Sequence, residues 1–156
     1  MEEAIFGAGC FWGVESKFSN VKGVIETEVG YTGGTTNNPT YKDVCTNKTG
    51  HAEVVKVTFD PSVVSYEELL EKFWDIHNPT TLNRQGWDIG TQYRSAVFYN
   101  KEEQRLAAEK LKEKLDKSGK YKKPIVTEIV HATEYYRAEE YHQKYDEKTK
   151  KSIFSF

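Results

Sequence analysis

The chain has 156 residues, which predicts a single compact domain over 1–156 with a core large enough to need no cross-links. Its 22 Lys and Arg against 24 Asp and Glu leave a net charge of −2, which argues against a dedicated nucleic-acid or polyanion binder. An aromatic content of 13% excludes a disordered chain, and two Cys exclude a multiply bridged secreted scaffold. No apolar run approaches the ~18 residues of a membrane-spanning helix, and the acidic start Met1-Glu2-Glu3 does not resemble a secretory signal. The expectation is a cytoplasmic, non-membrane protein with reduced thiols.

Ala4 to Gly7 reads as a short buried strand, and a helix opens at or just before Cys10, with Cys10, Val14, Phe18 and Val21 at helical spacing. Ile25, Thr27, Val29 and Tyr31 alternate with polar or small residues, predicting a half-exposed strand. Residues 30 to 52 are rich in Gly, Asn and Pro, and a connection this long in a compact domain is usually functional or disordered. Val55 to Phe59 predicts the next strand. Ser65 with Glu68 forms a capping-box pattern ahead of a helix carrying Leu69, Leu70, Phe73, Trp74 and His77. A second polar loop covers 78 to 92.

Tyr93 to Tyr99 predicts a strand, and Asn100 with Glu103 a second capping pattern for a helix reaching Ser118-Gly119. Ile125 to Val130 predicts a strand, Ala138 to Lys148 a helix, and the basic stretch Lys148 to Lys151 a frayed tail. The pattern is an α/β (α+β) domain, a two-layer arrangement of helices on a sheet. Gly7-Ala8-Gly9-Cys10 lacks the glycine spacing of a dinucleotide fold.

The densest chemical signal is Gly7-Ala8-Gly9-Cys10-Phe11-Trp12-Gly13. An isolated Cys is most often a small buried hydrophobe. A Cys at a strand–glycine turn–helix junction is different, because exposed N–H groups and the positive helix end should lower the thiol pKa. Phe11 and Trp12 fit either the core or an apolar slot for a methyl or thioether group.

Gly9-Cys10-Phe11-Trp12-Gly13 resembles the signature of the peptide methionine sulfoxide reductase A family. So do Gly30-Tyr31-Thr32-Gly33-Gly34, Asn38-Pro39-Thr40-Tyr41, Thr49 to Val54 and Gln85 to Ser95, in the family's order, over Ala4 to His142. The resemblance implies a mixed, plait-like sheet and reduction of methionine-S-sulfoxide, free or in proteins, as a repair of oxidative damage. It implies Cys10 as the nucleophile that becomes a sulfenic acid, and Glu53, Tyr41 and Tyr93 as donors to the sulfoxide oxygen. It implies Asp88 as an organising acid, and Phe11 and Trp12 as the holders of the substrate methyl. A poorly hydrated pocket would keep Glu53 protonated so that it can donate. His51, beside Glu53, is read as a brace for the loop and not as a catalytic group.

The chain departs from many family members in having no Cys after residue 45. Cys45 is then either a resolving Cys, which its Cα must lie within about 7 Å of Cys10 to be, or, as we favour, a structural one. Without a resolving Cys, an external thiol would reduce the sulfenic acid: glutaredoxin, thioredoxin, a small thiol, or dithiothreitol in vitro. No bound cofactor is implied, and a monomer is expected. Two other readings compete. Cys10 with His51, His77, His131 or His142 could form an acyl-transferring enzyme. Phe11, Trp12, Tyr41, Tyr93 and Glu53 could form an aromatic cage for a methylated ammonium. Metal binding by Cys10, Cys45 and the His residues lacks close ligand spacing.

Overall fold

The computed structural model describes the backbone of residues 1–154 and the side chains of residues 1–149. In chain order, β1 (Glu2–Ala8) leads to α1 (Phe11–Ser19), β2 (Val24–Thr32), a short α2 (Tyr41–Val44), β3 (Ala52–Phe59) and α3 (Tyr66–Asp75). A small hairpin of β4 (Arg84–Gln85) and β5 (Asp88–Ile89) precedes a 3₁₀ turn at Thr91–Tyr93 and β6 (Ser95–Tyr99). Then come α4 (Glu102–Lys117), β7 (Glu128–His131), β8 (Tyr135–Arg137), a 3₁₀ turn at Glu140–His142 and α5 (Tyr145–Phe154).

Six strands form one sheet in the order β7-β6-β1-β3-β2-β8. All pairs are antiparallel except β6–β7, which is parallel because α4 carries the chain back across the sheet. The sheet is therefore mixed and the domain α/β in two layers, as the element order predicts. Strand alternation separates the two faces. Ala4, Phe6 and Ala8 of β1 and Val55, Val57 and Phe59 of β3 meet Phe11, Val14 and Phe18 of α1 and Leu69, Leu70 and Phe73 of α3 in the main core. Ile5, Ala52, Val54, Ala96 and Phe98 form a smaller cluster on the opposite face, partly covered by Ala132 and Tyr135. Phe6 is central: its ring lies 5.2 Å from that of Phe18 and 5.1 Å from that of Phe73. Burying each such side chain stabilises by roughly 2–3 kcal/mol.

Several local expectations are corrected. β3 begins at Ala52, so Glu53 is a strand residue and not a loop-edge carboxylate. Ile25 is exposed despite its alternation with Thr27 and Val29, because the β2–β3 register shifts between Val24 and Glu26. Ser65 accepts the Glu68 N–H at 3.1 Å, but its hydroxyl donates to the Glu68 carboxylate, so the capping box is half formed. Lys101, not Asn100, precedes α4 as its cap, and Gln104, not Glu103, reaches back to the Asn100 N–H at 3.0 Å. Ile125 and Val126 are held instead by Asp116 and the Pro79 carbonyl, so the strand starts later, at Glu128. The helix expected over 138–148 is broken at Lys144, whose φ is +53°. The expected frayed tail falls within α5, and its Lys150 and Lys151 side chains lie outside the described residues.

The breaker-rich loop is ordered by its own polar groups. Thr40 and Asp43 close a complete capping box on α2, with N–H bonds of 3.2 and 3.0 Å. His51, enclosed in the loop, accepts the Gly34 N–H on Nδ1 at 3.0 Å and donates from Nε2 to the Thr36 carbonyl at 2.7 Å. It is a brace, as the sequence suggested. The two limbs touch backbone to backbone: a Cβ on Gly34 would stand 2.3 Å from the His51 nitrogen and 2.4 Å from the Thr49 carbonyl. Gly34→Ala should therefore destabilise the protein by about 2 kcal/mol, read as a lower urea midpoint; an unchanged midpoint would contradict this packing.

Candidate active site

The site begins where β1 runs out. Gly9 takes φ +101°, which turns the chain sharply and leaves Cys10 as the residue capping α1. Gln85 of the β4–β5 hairpin packs directly over this turn, since a Cβ on Gly9 would fall 2.9 Å from its Cγ. Cys10 is half-buried and free.

Glu53 faces Tyr31 across the β2–β3 ladder and shares the helix-side face with Val55. Its side chain is 1% exposed. Oε1 accepts the Phe11 N–H at 3.2 Å, so the carboxyl is fastened to the residue after the thiol. Oε2 is buried without a hydrogen-bond partner among the described residues. Burial pushes the Glu53 pKa up to about 8, against the pull of the Phe11 N–H and with help from Asp88. The acid is therefore mostly neutral at pH 7, with a proton available on the oxygen that has no partner.

Cys10 itself corrects the expectation of a lowered thiol. Burial, followed by the Glu53 and Asp88 carboxyl groups, pushes it up to about 11. The N–H groups of Trp12 and Gly13 do pull it down, but neither closes a capping hydrogen bond to the sulfur. The helix end acts with the expected sign and is outweighed. Its carboxyl repulsion weakens when Glu53 holds its proton.

Tyr41, the first residue of α2, places its ring 6.3 Å from Phe11 and 6.2 Å from Trp12. Burial and then Glu53 hold its phenol well above the usual range. Tyr93 lies in the 3₁₀ turn rather than at a strand end, and is pushed up to about 12 by burial and then by Glu53, with smaller contributions from Cys45, Asp88 and Cys10. Both phenols thus remain neutral donors at neutral pH. Asp88, exposed on β5, acts on both Glu53 and Cys10. Cys45 ends α2 on the surface, free, and interacts with the Tyr41 hydroxyl, which pulls its thiol down against the larger effect of burial. The structure therefore brings Cys10, Glu53, Tyr41, Tyr93 and Asp88 into one electrostatic neighbourhood, with Cys45 beside it.

Phe11 is fully enclosed and backs the aromatic wall, whereas Trp12 is half-buried and gives the wall its accessible surface. Sequence reasoning missed what holds Trp12. Its Nε1 donates to His142 Nδ1 at 2.9 Å, and its ring stacks on Tyr145 with centroids 4.0 Å apart. His142 is fully buried and its ring centroid lies 4.4 Å from that of Tyr41. Glu139, half-buried, binds Tyr31 and Tyr41 at once. The aromatic run Tyr141-His142 and Tyr145 was the available signal, but an unbroken helix would have put Tyr141 and Tyr145 on one face. The break at Lys144 leaves Tyr141 exposed and turns Tyr145 onto Trp12.

The acyl-transfer reading finds no base among the four His residues. His142 Nδ1 is occupied by Trp12, His51 by the loop, and His77 Nε2 by the Ser95 hydroxyl at 2.7 Å. Burial pushes His77 down to about 4, and His131 lies against Tyr99.

The family described as Peptide methionine sulfoxide reductase matches over residues 2–156. A peptide methionine sulfoxide reductase MsrA of Methanoculleus marisnigri is 61% identical over 145 residues, 93% of this chain and 88% of that protein. MsrA 1 of a Nostoc species is 59% identical over 151 residues, 97% of this chain and 93% of that one. Reduced Mxr1 of Saccharomyces cerevisiae superposes with a TM-score of 0.89 at 36% identity, covering 96% of this chain and 86% of that one. A further structure of Mxr1, in complex with Trx2, matches with a TM-score of 0.65 at 25% identity over 92% of this chain and 84% of that chain. The chain belongs to the peptide methionine sulfoxide reductase family, and it is an oxidoreductase that reduces methionine sulfoxide. Among the described residues, no helix is long and apolar enough to cross a membrane.

Glu53 also makes a prediction about stability. Folded Glu53 keeps its proton up to about pH 8, while an unfolded Glu loses it near the ordinary value of 4.5. The folded chain binds the extra proton between those values, so stability is full below the lower one and falls as pH rises towards the upper one, by at most ~1.4 kcal/mol per pH unit. Glu53→Gln removes this slope. Urea denaturation of both proteins at about pH 5 and about pH 8 should show a smaller drop in the variant; equal drops would refute the raised acid.

Proposed function

We propose that Cys10 is the nucleophile, that Glu53 is the general acid with Tyr41 and Tyr93 as neutral donors, and that Trp12 backed by Phe11 holds the methyl of a methionine-S-sulfoxide, free or in a protein. The observation that carries this is the buried Oε2 of Glu53, without a hydrogen-bond partner among the described residues, on a carboxyl that is fastened to the backbone beside Cys10 and whose pKa burial raises to about 8. A sulfoxide sulfur becomes electrophilic as its oxygen takes a proton or hydrogen bonds, so the site needs donors converging on that oxygen.

The atoms balance without a bound cofactor. The Cys10 sulfur bonds to the sulfoxide sulfur while Glu53 delivers its proton to the oxygen and the thiol proton makes good the loss. The hydroxyl then passes to Sγ as the thioether departs. Cys10 is oxidised by two electrons to sulfenic acid, and the substrate sulfur is reduced by two. An external thiol attacks Sγ and expels water, and a second thiol resolves the mixed disulfide. The reading favours a thioredoxin-type or glutaredoxin-type reductant acting directly on Cys10, with Cys45 structural and one catalytic domain spanning the chain. Asp88, at the exposed rim, organises the site and the approach of that thiol. Support for a thioredoxin-type reductant comes from the yeast relative seen with Trx2.

Cys10→Ser should abolish turnover, and Glu53→Gln should lower the single-turnover rate about 100- to 10,000-fold. The wild-type rate on the S epimer should fall as pH rises past about 8, where Glu53 loses its proton; a rate that keeps climbing to higher pH would exclude Glu53 as the acid. Cys45→Ser should keep most turnover with dithiothreitol or glutaredoxin, and its loss in a folded variant would assign Cys45 as the resolving thiol. Assays on the separate sulfoxide epimers decide the stereochemistry.

A further inference from the structure

Tyr41 needs its position explained, because it stands on a four-residue helix inside a loop that has no strand to hold it. The capping box of Thr40 and Asp43 satisfies the helix internally, but it lies at the surface and does not tie the helix to the sheet. Val44 packs the far end of the helix into the main core, and one side chain bonds its first residue to the sheet. Glu139 Oε2 accepts the Tyr41 N–H at 3.0 Å, and Glu139 Oε1 accepts the hydroxyl of Tyr31 at 2.9 Å. Tyr31 is fully buried in β2, directly opposite Glu53 in the ladder. The carboxylate therefore bridges the sheet beside the acid and the backbone of the loop phenol. Burial pushes the Glu139 carboxyl up, but the Tyr41 N–H, its own N–H and the Tyr31 hydroxyl together hold it below the usual carboxylate range. It touches neither Cys10 nor Glu53 by any hydrogen bond in the structure, so it cannot take part in the proton transfers directly.

We propose that Glu139 is a positioning residue for the reaction, setting the Tyr41 phenol relative to Glu53 by a hydrogen-bonded bridge to Tyr31. This rests on Tyr41 being a donor to the sulfoxide oxygen. What matters is reach, not charge. A Gln spans the same distance: its amide oxygen accepts the Tyr41 N–H, and its NH₂ donates to the Tyr31 hydroxyl, which can accept. An Asp keeps the charge but is one methylene too short to hold both partners.

The test is a set of single-turnover measurements with methionine-S-sulfoxide on Glu139→Gln, Glu139→Asp, Tyr41→Phe and Glu139→Asp combined with Tyr41→Phe. Glu139→Gln should stay within about threefold of wild type, while Glu139→Asp should lose about tenfold in the maximal rate, the size of one mispositioned hydrogen bond, with little change in the half-saturating substrate concentration. In the Tyr41→Phe background the Asp effect should shrink below threefold, because there is no hydroxyl left to place. A Gln variant as poor as Asp would assign the effect to charge and overturn the proposal. So would an Asp variant at the wild-type rate, or a full Asp loss in the Tyr41→Phe background, which would mark general loosening. A Tyr41→Phe enzyme at the wild-type rate overturns the donor reading itself and is seen in that single variant alone.

Discussion

A carboxyl group buried beside a backbone amide sets the terms for this molecule. One oxygen of Glu53 is fixed by the Phe11 N–H and the other has no hydrogen-bond partner among the described residues. An ionised group in that position would be costly, so the protein holds a neutral acid in its core at neutral pH. The strand that carries Glu53 has to be central and the helix that Cys10 caps has to start against it. The order β6-β1-β3-β2 provides this by placing the strand before Cys10 next to the strand with Glu53.

The same burial raises the thiol, which at first sight works against a nucleophile. It is consistent with the chemistry, however. A sulfoxide requires a proton at its oxygen at the moment that sulfur attacks, and a site holding both protons in reserve contains everything the oxygen transfer consumes. A strongly acidified thiolate beside an ionised carboxylate would hold neither. In the proposed mechanism, the helix end at Trp12 and Gly13 and the neutral phenols of Tyr41 and Tyr93 act on the developing charge rather than on the resting state.

Much of the frame was legible in the residues. A short buried run marked β1, alternation marked β2 and the second half of β3, and the apolar faces of α1, α3 and α4 marked the helix layer. The glycine turn marked Cys10 as the candidate nucleophile, and shared motifs marked Glu53, Tyr41, Tyr93 and Asp88 as its candidate partners. Where local rules failed, a tertiary contact had displaced a local one: the bulge at Val24 turned Ile25 outward, and Pro79 and Asp116 captured residues 125 and 126 before the last parallel strand could begin. The supports of the site were not legible, because Trp12 pairs with His142 across 130 positions and Tyr41 with Glu139 across 98. No periodicity within a window reports such contacts, and the positive φ of Lys144 that aims Tyr145 at Trp12 leaves no residue-type signature in a lysine.

That separation has a consequence during synthesis. Cys10 is made before the groups that wall its surroundings, which lie in the stretch from Glu139 to Tyr145. Closing contacts over so long a loop is the slow part of folding. Until that stretch docks, Trp12 lacks both the His142 and the Tyr145 contacts that hold it, so the wall beside Cys10 is assembled only after residue 145 has been added.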